Sequence, residues 1–321
     1  MGSILVTGAL GQVGSELTPA LRERYGPDRV IATDVREAEG DDVPRPFRIL
    51  DCTDREAVRA TVRELGVDTV YHLAAILSAK GEKDPRRTYR TNVQSVLNVL
   101  DAARDAGSSV FIPSSIAAFG ASTPRDPTPQ DTIQRPSTMY GITKVAGELL
   151  ADYYHGRWRV DVRGLRFPGL ISYAALPGGG TTDYAVEIFY GALREGGYTC
   201  FLRADAQLDF LYMPDAIRAA IELMEADGSG LRHRNAYNVT GMQLTPEDLA
   251  AAIRAHVPEF EITYEVDPAR QAIADSWPRR VDDSAAREDW GWRPRYDLEE
   301  MTEEMLARLE ERLARTDPAH R

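Results

Sequence analysis

The first fourteen residues constrain this chain more than any other feature. The aliphatic run Ile4-Leu5-Val6-Thr7 leads directly into Gly8-Ala9-Leu10-Gly11-Gln12-Val13-Gly14. Helical periodicity starts there, with Val13, Leu17 and Leu21 on one face. Glycine at the first position permits a tight turn, the second lets the backbone approach a pyrophosphate, and the third lets helix and strand pack closely. The helix N-terminus then offers N–H groups and a positive dipole end to the phosphates. Strand, glycines and helix in this order read as a dinucleotide-binding loop, and they commit the chain to an open α/β sheet.

The rest of the first half agrees. Further strands are predicted at 30–33, 47–50, 69–73, 110–113 and 161–166, apolar enough to be buried on both faces. Helical spacing recurs at Val58, Val62 and Leu65, and again at Val96, Leu97, Leu100 and Ala103. Right-handed crossovers turn this into a doubly wound parallel sheet of Rossmann type. Past Arg166 the rhythm breaks. A Pro/Gly-rich loop (Pro168, Gly169, Pro177, Gly178, Gly179, Gly180) precedes a helix from 182 to about 194. Strands near 199–202 and 209–212 follow, then a helix opened by Pro214 and Asp215. Another helix runs from Thr245, with Pro246 at its first position, to 256; a strand at 261–266 and a charged helix from about 298 complete the pattern. The expected division is a cofactor-binding domain over 1–170, to which 205–240 returns, and a smaller substrate-binding lobe from 171–204 and 241–321. Segment 122–136, with four prolines, reads as an exposed loop.

Composition narrows the function classes. Against 38 Lys and Arg stand 50 Asp and Glu, a formal charge of −12 over 321 residues. A nucleic-acid footprint or an anionic membrane surface would want a basic face. The longest apolar run is far shorter than a membrane span, and no basic leader with a cleavage site opens the chain. Cys52 and Cys200 stand far apart, which excludes a disulfide scaffold and favours a reducing compartment, so a soluble cytoplasmic protein is expected. His155, His233 and His256 form no ligand pattern, and no metal site is predicted.

Chemistry-bearing residues gather at the predicted strand ends. Asp34 closes the second strand, twenty residues beyond Gly14. A carboxylate there accepts from an adenosine ribose diol and repels a 2′-phosphate, favouring NAD over NADP. Nearby Arg36 is either a solvated loop charge or, pointing inward, a softening of that exclusion. Asp51 could meet an adenine amino group or cap the next helix, with Asp54 as competitor. Ser114 and Ser115 follow the 110–113 strand at the edge where such sheets bind ligands. Tyr140 and Lys144, at i and i+4, share a helix face. A phenol titrates near pH 10, about three units too high for a base at neutrality, and a neighbouring ammonium favours the phenolate. A serine hydroxyl can hold the reacting oxygen. The implied reaction removes an alcohol proton while hydride leaves the same carbon for a nicotinamide. Asn92 could position Lys144 through a water, or be a helix-surface amide. His72 reads as a satisfied core histidine, and Trp277, Trp290 and Trp292 as core anchors.

Taken together, Gly8, Gly11 and Gly14, His72-Leu73-Ala74-Ala75, Ser115, and Tyr140 with Lys144 resemble the extended short-chain dehydrogenase/reductase family over nearly the whole chain. The 25-residue interval from Ser115 to Tyr140 resembles that of UDP-galactose epimerase and selects Ser115 over Ser114. The resemblance implies a cofactor site that also includes Gln12, Val13, Cys52, Leu73, Ala74, Ala75 and Leu170. Four substrate-side segments look like the short-chain-type L-threonine 3-dehydrogenases: 76–82, 180–189, 237–240 and 276–278. That likeness implies NAD-dependent oxidation of the L-threonine β-hydroxyl to 2-amino-3-ketobutyrate, in a homodimer formed through two helices per subunit. Some relatives carry threonine where Ser115 stands, and either residue supplies a hydroxyl. Ser78, Thr181 and Thr182 offer hydroxyl groups to a small amino acid, and Gly178, Gly179 and Gly180 offer amides to its carboxylate. Asp183 could accept from the ammonium or simply stabilise a first helical turn. The glycine-rich loop also suits a lid over the nicotinamide.

Two other functions compete. A nucleotide-sugar epimerase or dehydratase should recruit basic residues at the opening of the second lobe, yet residues 170–193 contain no Lys or Arg. A dehydratase would also place an acid just after Ser115, where Ile116 and Ala117 stand. A non-catalytic NAD-sensing protein would be expected to lack the tyrosine or the lysine, and both are present. A zinc-dependent threonine dehydrogenase needs clustered ligands that the sequence lacks.

Overall fold

Residues 2–37, 45–174 and 180–316 are described in the computed structural model. Buried β1 (Ser3–Thr7) feeds α1 (Gln12–Tyr25) through the glycine turn, and β2 (Val30–Asp34) and β3 (Phe47–Ile49) follow. Next come α2 (Arg55–Glu64), β4 (Val67–His72), a short α3 (Ser78–Lys83) and the long α4 (Pro85–Ala106). β5 (Ser109–Phe111) and β6 (Ser114–Ser115) precede α5 (Met139–Trp158), then β7 (Val162–Arg163), β8 (Leu165–Phe167) and β9 (Gly169–Ile171). The second half contains α6 (Tyr184–Glu195), β10 (Gly197–Cys200), β11 (Leu208–Tyr212), α7 (Met213–Glu225), β12 (Tyr237–Asn238) and β13 (Met242–Leu244). It ends with α8 (Pro246–Arg254), β14 (Glu261–Tyr264), α9 (Pro268–Ser276), α10 (Ser284–Trp290) and α11 (Leu298–Thr316).

The main sheet runs β3-β2-β1-β4-β5-β7, every pair parallel. Strand order reverses between β1 and β4, the point outside which open α/β sheets bind ligands. Successive residues of the strands serve opposite faces. Ile4, Val6 and Val30 pack with Leu17 and Leu21 of α1 and Ala216 and Ala220 of α7. Leu5 and Ile31 pack with Val58 and Val62 of α2, Val99 of α4 and Ala151 of α5. Each fully buried aliphatic side chain contributes roughly 1.5–3 kcal/mol, so these two layers hold the helices to the sheet. A third core, built on Ile188 and Phe189 of α6, Leu249 of α8 and Met305 and Leu309 of α11, forms the smaller C-terminal lobe. Between the halves, β11 pairs with β9 and β13, while β12 extends β8 and α7 covers the α1 face of the main sheet. No described helix is long and apolar enough to cross a membrane.

Two local expectations change. The strand expected over 161–166 is split at Gly164, where a Cβ would lie 2.3 Å from the Ile112 carbonyl oxygen and 2.4 Å from that of Asn235. Three backbones meet there, so β7 stays in the main sheet while β8 turns to pair with β6 and β12. The proline-rich segment 122–136 is also more than an exposed loop. Its backbone polar groups pair with the 279–282 segment rather than with water: the Thr128 amide donates to Arg280 at 2.8 Å, and the Arg279 and Asp282 amides to Arg125 and Thr128, both at 2.9 Å. Arg125 Nε adds a bond to the Trp277 carbonyl at 2.7 Å, so the segment straps the C-terminal lobe to β6.

Candidate active site

The glycine turn is built by steric necessity. Gly8 has φ +68°, and a Cβ on it would sit 2.8 Å from the Ala74 amide nitrogen, so the loop lies directly against the end of β4. A Cβ on Gly14 would come within 2.3 Å of the Gly8 oxygen and 2.7 Å of Ala9 Cα, which no side chain tolerates. α1 therefore starts against bare backbone. Gly8, Gly11, Gln12, Val13 and Gly14 line one end of a cleft of about 1130 Å³, together with Leu73, Ala75 and Leu170. The cradle fits a pyrophosphate, because it exposes backbone where side chains would otherwise stand.

Asp34 stands at the end of β2, buried, and accepts from the Leu10 amide at 3.2 Å. Arg36 turns inward onto it: Nε donates to Oδ1 at 3.0 Å and Nη2 to Oδ2 at 3.2 Å. Burial pushes the Asp34 carboxyl up, but the hydrogen bonds and charge of Arg36 outweigh it and hold the group below the ordinary carboxylate range. Asp51 takes the Thr53 amide at 2.8 Å, leaving Asp54 to cap α2 through the Ala57 amide at 3.0 Å. Cys52 is buried beside it, its thiol pushed up to about 12 by burial, and its carbonyl accepts from Asn98.

At the middle of the cleft Ser115, Tyr140 and Lys144 come together. Ser115 ends β6 and caps the following turn through the Ala117 amide at 3.1 Å. Ser114 points the other way, its hydroxyl donating to buried Glu148. Lys144 Nζ lies 5.3 Å from the centroid of the Tyr140 ring and donates to the Pro113 carbonyl at 2.6 Å. The electrostatics differ from the sequence expectation. Burial pushes the Tyr140 phenol up to about 12, with the Ser115 hydrogen bond pulling against it. Burial likewise pushes Lys144 down to about 8, against the attraction of Glu148. Desolvation outweighs the pull of Ser115, so the chain's own groups leave this phenol protonated at neutrality.

Asn92 makes no direct bond to Lys144. Its Oδ1 accepts from the Ile76 amide at 2.8 Å, and its Nδ2 donates to the Ile76 carbonyl at 3.0 Å and to Thr143 Oγ1 at 3.1 Å. It thus ties the turn after β4 to α5, and with Ala74 and Lys144 it lines a smaller cavity behind the cleft. His72 bridges Thr7 and Ser95, and burial pushes it down to about 3, a neutral core imidazole. Ser78, Gly180, Thr181, Thr182 and Asp183 line the same cleft as Ser115. Asp183 accepts from the Gly180 amide at 2.6 Å, which fixes one carboxylate oxygen on its own loop. Pro177, Gly178 and Gly179 lie outside the described residues. Trp277, largely buried in the lobe core, also lines the cleft. Trp290 and Trp292 pack behind the main sheet.

Sequence reasoning missed the support beneath this site. Arg166 and Glu148 form a buried bidentate pair, with Nε to Oε1 at 3.0 Å and Nη2 to Oε2 at 2.8 Å. Gln134 donates to Glu148 and Arg166 donates to the Gln130 carbonyl, so the pair ties α5 to the proline strap. Two signals were available: Glu148 continues the Tyr140–Lys144 stripe by four residues, and an arginine in an otherwise apolar strand needs an acid. Among the described residues no cluster of three or more His, Cys, Asp or Glu could hold a metal ion.

Residues 4–240 match the NAD dependent epimerase/dehydratase family. An uncharacterised epimerase/dehydratase of Staphylococcus haemolyticus is 52% identical over 314 residues, covering 97% of this chain and 99% of that one. The crystal structure of L-threonine dehydrogenase from Clostridium difficile superposes with a TM-score of 0.95 at 49% identity, covering 97% of this chain and 98% of the other. A monomeric L-threonine 3-dehydrogenase of metagenomic origin, solved in its apo form, gives 0.92 at 46% identity over 96% of this chain and 99% of its own.

Proposed function

The chain belongs to the NAD dependent epimerase/dehydratase family, and from that premise we propose that it oxidises the β-hydroxyl of L-threonine to give 2-amino-3-ketobutyrate. NAD is the cofactor, and the bare backbone of the glycine cradle and the ionised Asp34 suit its pyrophosphate and ribose. One observation carries the choice of substrate. Among the described residues Lys144 is the one cationic side chain lining the cleft, and the substrate end offers Ser78, Thr181 and Thr182 instead. A nucleotide sugar would bury two phosphates there without a counter-charge, whereas a small zwitterion needs only hydroxyls, amides and a carboxylate.

Bound NAD would supply the hydride acceptor for the β-carbon, and its positive charge would favour the phenolate. Tyr140, once its own proton has left to solvent, takes the hydroxyl proton at Oη, so one C–H bond and one O–H bond break as the C=O bond forms. Ser115 holds the reacting oxygen, Lys144 holds the cofactor ribose and favours the phenolate, and the hydroxyls of Ser78, Thr181 and Thr182 hold the amino-acid ends. Asp183, which lines the same end of the cleft, is the carboxylate that meets the ammonium. In the same reading residues 1–170 with 205–240 bind cofactor, while 171–204 with 241–321 bind substrate. Apolar side chains exposed along α4 and α5 (Tyr89, Ile142, Leu149 and Tyr153) support a homodimer through these helices. The chain would then act in cytoplasmic threonine catabolism.

The test follows NADH formation at 340 nm with L-threonine and L-serine, and product formation by chromatography with UDP-sugars, whose epimerisation or dehydration returns the hydride and leaves no net NADH. Turnover of a UDP-sugar without turnover of L-threonine would sink the proposal. Sedimentation of the purified chain decides the dimer.

A further inference from the structure

We propose that Glu82 is a positioning residue that sets the spacing between the substrate-holding turn and the catalytic helix. The inference rests on the substrate reading above. Met139 is the first residue of α5, so its amide belongs to the orphan donors of a helix start. Thr138 serves that turn locally, accepting from the Gly141 amide at 3.1 Å. The Met139 amide is served from another element: it donates to Glu82 Oε1 at 2.7 Å. Tyr140 is the next residue.

Glu82 lies four residues after Ser78 on α3, so the two side chains share a face of that short helix. Ser78 enters the cleft while Glu82 lies outside it, reaching the start of α5. The other side of α3 is fixed on α4. Thr88 Oγ1 donates to the Gly81 carbonyl at 3.2 Å, and a Cβ on Gly81 would meet Thr88 Cγ2 at 3.1 Å. Upstream, Asn92 clamps both backbone groups of Ile76. Ser78 therefore hangs between two ties to α5. The Asn92 tie runs through Thr143 to the second turn of α5, and the Glu82 tie runs to its first residue.

Losing the second tie frees the end of α3 to drift from Tyr140, while the buried tie at Asn92 keeps the turn folded. Because Glu82 is exposed, its bond adds little to global stability. Its effect falls on the distance between a hydroxyl that holds the amino acid and a phenol that takes its proton. Displacements of about 1 Å between such groups cost up to about 100-fold in rate.

The test compares Glu82→Ala with Glu82→Gln, whose amide oxygen still accepts from Met139. For Glu82→Ala, kcat/KM with L-threonine should fall about tenfold. NADH affinity and Tm should stay at native values, and amide exchange at Met139 should quicken. Glu82→Gln should restore exchange protection and turnover to within about twofold, as the retained hydrogen bond requires. An alanine variant with native turnover overturns the proposal. So does an equal loss in both variants, which would make the charge rather than the bond responsible, or a parallel loss of NADH affinity and Tm, which would mean general loosening. A native chain that does not oxidise L-threonine refutes the substrate reading alone. The same comparison then runs on the substrate it does oxidise, and the exchange readout stands by itself.

Discussion

The two ends of the cleft are made in different ways. The glycine cradle proposed for the cofactor comes from seven consecutive residues, and its shape follows from where a Cβ cannot fit: 2.8 Å from Ala74 at Gly8, 2.3 Å from the Gly8 oxygen at Gly14. The end proposed to hold the substrate gathers Ser78, Ser115, Tyr140, Thr181 and Trp277 from five places in the chain, and polar ties such as those of Asn92, Glu82 and Asp183 hold it. Backbone sterics are local and all-or-none. Polar ties are long-range and graded, so the substrate end can be adjusted by single substitutions that the cofactor end would not survive.

Four experiments probe this contrast. Tyr140→Phe should lower kcat by about 10³-fold or more, the scale of a lost general base, with NADH affinity within about twofold of native. Loss of NADH binding in that variant would mean that the two ends are not separable. Gly14→Ala should weaken NADH binding by about 100-fold and lower Tm, since overpacking against rigid backbone costs roughly 1–3 kcal/mol or more. Calorimetric titration with native affinity would refute the steric account. Asp34→Ala should weaken NADH about tenfold while leaving NADPH nearly unchanged, narrowing the gap between them, as fluorescence titration would reveal. A graded loss at this position would show that the cofactor end also has adjustable contacts beyond the glycine turn. The smallest effect is in pH. Burial raises Tyr140 to about 12 and lowers Lys144 to about 8, so the phenol is protonated and the lysine charged at pH 7. Deprotonation of Tyr140 therefore becomes easier as pH rises, and kcat/KM should climb several-fold from pH 7 to 8, with apparent values belonging to the coupled pair. A profile flat from pH 6 to 9 would contradict this.

What was legible in the sequence follows the same division. Gly8, Gly11 and Gly14 could be read because the strand, turn and helix they join are contiguous, and Tyr140 with Lys144 because i and i+4 share a face. The break at Gly164 could not, since its cause is the backbone of Asn235, more than seventy residues away. Arg36 turning onto Asp34, and the strap from Arg125 to Trp277, depend on conformations that spacing does not encode. The expected depression of the Tyr140 phenol failed for a further reason. It weighed the lysine charge without the desolvation of both partners, which only a folded cleft reveals.

The Glu148–Arg166 pair has a consequence for how this chain can vary. Both groups are more than nine-tenths buried, and Arg166 also holds Gln130 and Asn238. Removing either partner alone strands a charge in the interior, at a cost of about 3–5 kcal/mol, a large share of a domain's total stability. Replacing both together by apolar residues of similar volume can be nearly neutral. Positions 148 and 166 are thus a two-site lock: substitutions reach a new sequence there by a paired change, and a mutagenesis library that randomises α5 alone will return almost only glutamate at 148.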